Sequence, residues 1–167
     1  MLKLNSLRTL LAQCLPELAR DPERLIVLAE GGQAVSTGTT SLSFEYRYTA
    51  RVILLDYTSH ADAVLVPILA WMQVNQPEQM DNPATREKAV RFRVEPLNTG
   101  AMDLGIELDL TERAIVTPDP DAAQDPDAPK RLRITHPEEP THLGMVTQPE
   151  RWELWLRDEQ LLATWDL

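Results

Sequence analysis

One stretch, from Ser41 to Glu78, constrains the fold of this chain most strongly. Its first part alternates apolar and polar side chains with a period of two, which is typical of a strand with one buried face. The apolar members are Leu42, Phe44, Tyr46, Tyr48, Ala50, Val52 and Leu54. Its second part carries an apolar stripe at helical spacing, formed by Ala61, Val64, Leu65, Ile68, Leu69 and Met72. The stretch therefore predicts a long strand followed by a helix that packs on its sheet.

A helix and a strand are predicted before this unit. An apolar stripe at helical spacing follows Ser6, whose side chain suits an N-cap, and consists of Leu7, Leu10, Leu11, Cys14, Leu15 and Leu18. Pro16 lies within the stripe and predicts a kink or a changed last turn, because proline lacks the amide hydrogen that a helix interior needs. The apolar run from Arg24 to Glu30 then predicts a strand, and the segment from Gly31 to Thr40 predicts a loop.

Two more strands are predicted after the helix. The polar segment from Pro77 to Glu87 is predicted to be a connection. Alternating side chains then run from Ala89 to Glu95 and from Met102 to Thr111, and turn residues between these runs favour a β-hairpin. Strands joined by short turns pair antiparallel. The sequence therefore predicts an α+β fold with a mixed or antiparallel sheet packed by two helices.

The composition changes after Val116. Residues 117–150 are rich in proline and aspartate and poor in apolar side chains. Such a segment cannot bury enough apolar surface to offset the entropy of ordering it. We therefore predict three parts: a core domain at residues 1–116, a linker or arm at 117–150, and a C-terminal β-hairpin at 151–167, turning at Arg157 to Glu159.

The predicted C-terminal hairpin carries the candidate inter-subunit interface. Its members are Trp152, Leu154, Trp155, Leu156 and Trp165. A lone hairpin is marginally stable in water, so this one must dock on another surface. Tryptophan is enriched in protein interfaces, which favours a neighbouring subunit, but docking on its own domain is equally compatible with the pattern.

Overall composition excludes several classes of protein. With 167 residues, of which 43% are hydrophobic, the chain can bury the core of one domain. The formal net charge of -10 argues against specific nucleic acid binding, which needs clustered lysine and arginine. Cys14 is the only cysteine, so no intramolecular disulfide is expected. We see neither a signal peptide nor an apolar run of membrane-spanning length, which predicts a soluble cytoplasmic protein.

No catalytic, cofactor-binding or metal site is predicted. The nearest thing to a metal site is a run of carboxylates, Asp119, Asp121, Asp125 and Asp127. This run lacks the glycine and the bidentate glutamate of a calcium loop. His60, His136 and His142 are not at the spacing of metal ligands. Because a nucleophile elbow and a glycine-rich phosphate loop are also absent, we predict a protein that is not an enzyme and has no cofactor.

Several runs resemble a known family. They are SLSFEYRYT at residues 41–49, VPILAWMQVNQPE at 66–78 and LTERAIV at 110–116, with the opening MLKLNSLR and an ending near Trp165 and Asp166. Together and in this order they resemble the R tail-completion proteins of P-two-like contractile-tailed bacteriophages and prophages. The resemblance covers most of the chain, and the segment 117–150 matches least well.

The resemblance implies a structural role. Such proteins resemble tail terminators, which cap the head-proximal end of the tail tube and prepare it for head joining. The implied partners are other copies of the chain in a ring, a hexamer in related terminators, together with the tail tube protein and the head connector or head completion proteins. The implied location is the host bacterial cytoplasm during assembly and then the virion tail.

Two other classes of function compete with this one. A monomeric adaptor or regulatory binding module could use the linker and the hairpin to grip a partner protein. A small hydrolase could assemble its site from scattered carboxylates, although no spacing in the sequence supports one. The mass of the protein in solution, or with tail tubes present, separates the ring from the adaptor.

Overall fold

The computed structural model describes residues 1–38, 40–97, 100–119, 130–138, 150–157 and 160–166. Its helices are α1 (Leu2–Cys14), α2 (Pro16–Arg20), α3 (Asp62–Asn75), α4 (Pro77–Asp81) and α5 (Pro83–Ala89), with a short 3₁₀ turn at Pro22–Arg24. Its strands are β1 (Leu25–Ser36), β2 (Phe44–Tyr57), β3 (Val90–Pro96), β4 (Met102–Pro118), β5 (Leu132–Thr135), β6 (Arg151–Leu156) and β7 (Gln160–Asp166).

The main sheet is antiparallel throughout, which confirms the predicted α+β fold. Its strand order is β1-β2-β4-β3, and β5 pairs with the far end of β4. The long β4 is the strand with the most partners, because β2, β3 and β5 all pair with it. β6 and β7 form a separate two-stranded sheet.

Alternation along the central strands gives the sheet one apolar face, here called the inner face. The side chains buried on it are Tyr48, Ala50, Val52 and Leu54 of β2 and Leu104, Ile106, Leu108 and Leu110 of β4. Helices α1 and α3 contact each other, and Leu7, Leu11, Ile68 and Met72 of these helices are fully buried in the same core. Each such side chain contributes about 1.5–3 kcal/mol through burial, so two helices hold the sheet as predicted.

The start of α1 differs from the prediction, because a distant carboxylate takes the place of a local cap. The helix begins at Leu2, not after Ser6. The Leu2 amide donates to Oε2 of buried Glu112 at 2.7 Å, and a carboxylate at a helix N-terminus is favoured by the helix dipole. Ser6 lies inside the helix, where its Oγ accepts from Trp71 Nε1 at 3.0 Å. At the other end Pro16 is the first residue of α2, which confirms the changed last turn.

The predicted loop after Glu30 is wrong, because β1 continues to Ser36. The pairing with β2 shifts between Glu30 and Gln33, and Gly31 has a φ of 61°. The glycine pair therefore makes a β-bulge that bends the strand without ending it.

The predicted connection at Pro77 to Glu87 is also partly wrong, because it folds into α4 and α5. Each of these short helices has a proline in its first turn, where the missing amide hydrogen costs nothing. Asn82 caps α5 by accepting from the Ala84 amide at 3.0 Å.

Side chains contact the stretch of β4 that lies between its pairings with β3 and β5. β3 pairs with β4 up to Leu108 and β5 begins to pair at Ile115; among the described residues, no strand pairs with β4 on the edge opposite β2 between these two positions. Buried Gln76 contacts this stretch: its Oε1 accepts from the Thr111 amide at 3.2 Å. His136 contacts the Arg113 carbonyl through Nδ1 at 3.0 Å. Side chains thus contact two backbone groups of this stretch, the Thr111 amide and the Arg113 carbonyl.

Two buried tyrosines predict a loss of stability at alkaline pH. Burial, followed by the hydrogen bond and the charge of Glu112, raises the pKa of Tyr48, and burial raises the pKa of Tyr57. The folded state therefore favours neutral phenols, so their contribution to stability is complete below the ordinary tyrosine pKa of about 10 and is lost as pH rises above it. We expect circular dichroism to show unfolding that begins above this pH and is less steep in Tyr57→Phe. An unfolding free energy that stays constant into strong alkali would contradict the assignment.

Candidate assembly surfaces

The C-terminal hairpin forms as predicted, with β6 and β7 antiparallel. Trp152 lies opposite Trp165, and Leu154 lies opposite Ala163. The rings of the two tryptophans stack with centroids 6.4 Å apart and an interplanar angle of 12°. The register shifts after Leu154, so that Trp155 lies opposite Leu161. Two residues of the predicted turn lie outside the described residues.

The hairpin contacts its own chain. β7 lies against α1 and α3, and Ala163 and Trp165 are buried in the core cluster. Trp165 is only 5% exposed, so in a single chain it is a core residue. Its Nε1 is buried and has no hydrogen-bond partner among the described residues.

The other predicted interface residues differ in exposure. Leu154 and Leu156 are half-buried. Trp152 is 43% exposed and Trp155 is 49% exposed. A residue that the interface prediction omitted, Leu161, is 45% exposed and faces Trp155 across the hairpin. Leu161 could have been included from the sequence, because it is an apolar side chain in an alternating strand. We call Trp155 and Leu161 the hairpin surface; Trp152 lies on the other face of β6, two positions from Leu154 and stacked on Trp165.

The second surface is the face of the main sheet that the helices do not cover, here called the outer face. On strands β1 to β4, register places five arginines and six carboxylates on it, namely Glu30, Glu45, Arg47, Arg51, Arg91, Arg93, Glu95, Asp103, Glu107, Asp109 and Arg113. Arg51 pairs with Glu30 at 3.2 Å, and Arg93 pairs with Glu95 at 2.9 Å. This face is therefore almost neutral in a chain whose net charge is -10.

A bidentate ion pair on the outer face joins β3 to β4. Arg91 donates to both oxygens of Asp109, at 2.7 and 2.9 Å, and Thr49 Oγ1 donates to Oδ1 of the same carboxylate at 2.9 Å. The hydrogen bonding between these two side chains lowers the pKa of Asp109 and raises the pKa of Arg91. This bidentate pair links the edge strand β3 to β4 in addition to their backbone pairing.

A hollow lies in the outer face above Gly105. Register places Gly105 between Ile53 on β2 and Arg93 on β3. The cavity has a volume of about 340 Å³, and Arg51, Arg91 and Glu107 form part of its wall. It exists because one row of the sheet has a glycine where the neighbouring rows have long side chains.

A cleft of about 370 Å³ lies beside the start of α1 and is lined by Leu2, Lys3, Glu112, Arg113 and His136, among others. Its two buried ionisable groups are already used by the fold. Lys3 Nζ donates to Gln76 Oε1 at 2.9 Å and to the Asn75 carbonyl. Glu112 accepts from the Leu2 amide and from the Tyr48 hydroxyl. We therefore interpret the cleft as structural.

The described part of the predicted linker contains a strand that was not predicted. β5 pairs with β4 from Ile115 to Pro118, and the Asp119 amide donates to the Arg131 carbonyl at 3.0 Å. This strand has only four residues, which is too short for an alternating pattern to predict it, and all four are exposed. Asp121, Asp125, Asp127 and His142 lie outside the described residues.

Metal and membrane features can be assessed only for the described ranges. Within them, no cluster of three or more histidine, cysteine, aspartate or glutamate side chains could hold a metal ion. None of the helices there combines the length and apolar character needed to cross a bilayer. Burial raises the pKa of the Cys14 thiol to about 12, which makes it unreactive at neutral pH.

Comparison with known proteins identifies the family. Residues 1–140 match the family described as P2 phage tail completion protein R (GpR). The chain is 36% identical over 166 residues to the tail completion protein R of Escherichia phage P2, and the alignment covers 99% of both chains. No solved structure matches the fold closely enough to count as similar. The chain therefore belongs to the P2 phage tail completion protein R family, a family of structural proteins of the bacteriophage tail.

Proposed function

We propose that this protein caps the head-proximal end of the phage tail tube, stops its polymerisation and prepares it for head joining. The observation that carries the proposal is the match of nearly the whole chain to a tail completion protein. The proposed role is structural and not catalytic. We place the protein in the host cytoplasm during assembly and in the virion tail afterwards.

A ring of subunits is the form proposed for the cap. The hairpin surface and the outer face are two different exposed surfaces on one chain, which is what a closed head-to-tail ring requires. The proposed partners are other copies of the chain, a hexamer being the size in related terminators, the tail tube protein and the head connector or head completion proteins. The net charge of -10 supports passage of DNA without retention.

Electron microscopy of particles assembled with and without the protein tests this proposal. Without it, we expect tubes of uncontrolled length if termination is its main task, and finished tails detached from heads if joining is. Normal infectious particles in its absence would overturn the proposal. Gold-labelled protein should lie at the head-proximal tube end. Labelling elsewhere, together with a monomeric mass in the presence of tubes, would favour the adaptor.

A further inference from the structure

The outer-face hollow has the chemistry of a receptor for an aromatic side chain. Its floor is Ile53 and the bare backbone of Gly105. A Cβ built on Gly105 would meet its nearest neighbour, the Arg93 carbonyl oxygen, at 4.0 Å, so the space above the glycine is open. Arg51 and Arg91 flank this space. Planar guanidinium groups stack well on tryptophan, which makes such a rim attractive to an indole ring.

The hollow is poorly suited to a free anion. Each of its arginines already has a carboxylate partner: Arg51 pairs with Glu30, Arg91 with Asp109 and Glu107, and Arg93 with Glu95. An incoming anion would have to displace these carboxylates. An aromatic or aliphatic side chain can instead enter between the paired groups without breaking them, because stacking uses the faces of the guanidinium groups and not their hydrogen-bond donors.

The hairpin surface offers the complementary shape. Trp155 and Leu161 lie opposite each other and form an exposed apolar pair. Trp155 Nε1 donates to Glu153 Oε2 at 3.1 Å, so the polar edge of the indole is already satisfied. Its apolar faces can therefore bind a partner without leaving an unpaired donor. Tryptophan is also among the side chains that dominate binding energy at protein interfaces.

We propose that Trp155 and Leu161 of one copy dock in the Gly105 hollow of a second copy; this rests on the ring proposed above. The two surfaces lie on opposite sides of the main sheet, because the hairpin contacts α1 and α3 and these helices cover the inner face. A chain therefore cannot fill its own hollow with its own docked hairpin. Each copy instead gives one surface and receives the other, a heterologous contact that closes into a ring when the rotation allows.

Electrostatics favours the outer face as the place where a second copy binds. Two chains that each carry a net charge of -10 repel each other over most approaches. This repulsion is weakest at the outer face, because the five arginines there nearly balance the six carboxylates. Charge balance thus adds to the apolar fit in selecting this surface.

Two variants test the proposal by removing one surface each. Trp155→Ser removes the exposed indole, and Gly105→Ile fills the hollow. Because the space above Gly105 is open and glycine weakens a strand interior, Gly105→Ile should melt at the same temperature as wild type or higher. We expect each variant to need a roughly thirtyfold higher concentration for half-assembly in sedimentation velocity. Leu42→Ser is the control, because Leu42 is exposed just before β2 begins, at the opposite end of that strand from Ile53.

Mixing the variants tests whether the two surfaces meet each other. The Trp155→Ser copy keeps its hollow and the Gly105→Ile copy keeps its hairpin surface, so an equimolar mixture should form dimers and no larger species. A wild type that is monomeric at every concentration, variants that assemble normally, or a mixture without dimers would each overturn the docking. If the variants form rings normally but these rings do not complete tail tubes, the hollow binds the tube protein and the proposed docking between copies is wrong. Normal tail completion by both variants would overturn the docking but not the proposed function. The electron microscopy described above tests the proposed function separately.

Discussion

Replacing Ile68 by aspartate should unfold the protein. Ile68 is fully buried on α3, in the core between that helix and the inner face. A carboxylate there would be desolvated without a partner, which we expect to lower the free energy of unfolding by about 4 kcal/mol or more. The total for a domain of this kind is only about 5–15 kcal/mol. Circular dichroism during urea unfolding measures the loss.

Leu69→Asp is the matched control, since it places the same charge one position along the same helix. Leu69 is 40% exposed, so its carboxylate can remain hydrated. We expect that variant to keep most of its stability. Equal behaviour of the two variants would show that α3 does not pack on the sheet through Ile68.

Replacing Trp165 by alanine should destabilise the protein by about 3–5 kcal/mol, the usual range for a large buried aromatic side chain. Trp165 lies in the core of its own chain and stacks on Trp152, so the substitution removes both contacts. For the same reason we expect deletion of residues 151–167 to uncover α1 and α3 and to weaken the whole fold. Urea unfolding of the full-length variant checks the magnitude.

Trp165→Phe separates the packing of this ring from its polar edge. The indole Nε1 is buried without a partner among the described residues, and an unpaired donor of this kind costs about 1–3 kcal/mol. Phenylalanine removes that donor while it keeps an aromatic ring, so we expect stability within about 1 kcal/mol of wild type. A loss as large as that of the alanine variant would mean that the indole has a partner after all.

The sequence by itself determined the central sheet and the helices that pack on it. Residues 44–54 alternate so regularly that any other register would turn tyrosine, valine and leucine to solvent, and this local pattern is strong enough to decide the strand. The stripe around Ile68 decides that α3 is a helix, although Leu69, which the stripe placed in the core, is 40% exposed and Trp71, which it omitted, is buried. Pro16 decides where the first helix changes. The sequence also indicated that the C-terminal hairpin must dock on another surface, because a lone hairpin is marginally stable in water.

Only the tertiary structure decided how distant groups meet. The cap of α1 is Glu112, which lies 110 residues from Leu2, so local sequence favoured the wrong residue, Ser6. The tertiary fold also divides the tryptophans, burying Trp165 against the chain's own helices and leaving Trp155 exposed. The Gly105 hollow exists because three neighbouring strands align Ile53, Gly105 and Arg93 in one row. Alternation sets the face on which a side chain lies, but its neighbours across the sheet depend on strand order and register, which are long-range properties of the fold.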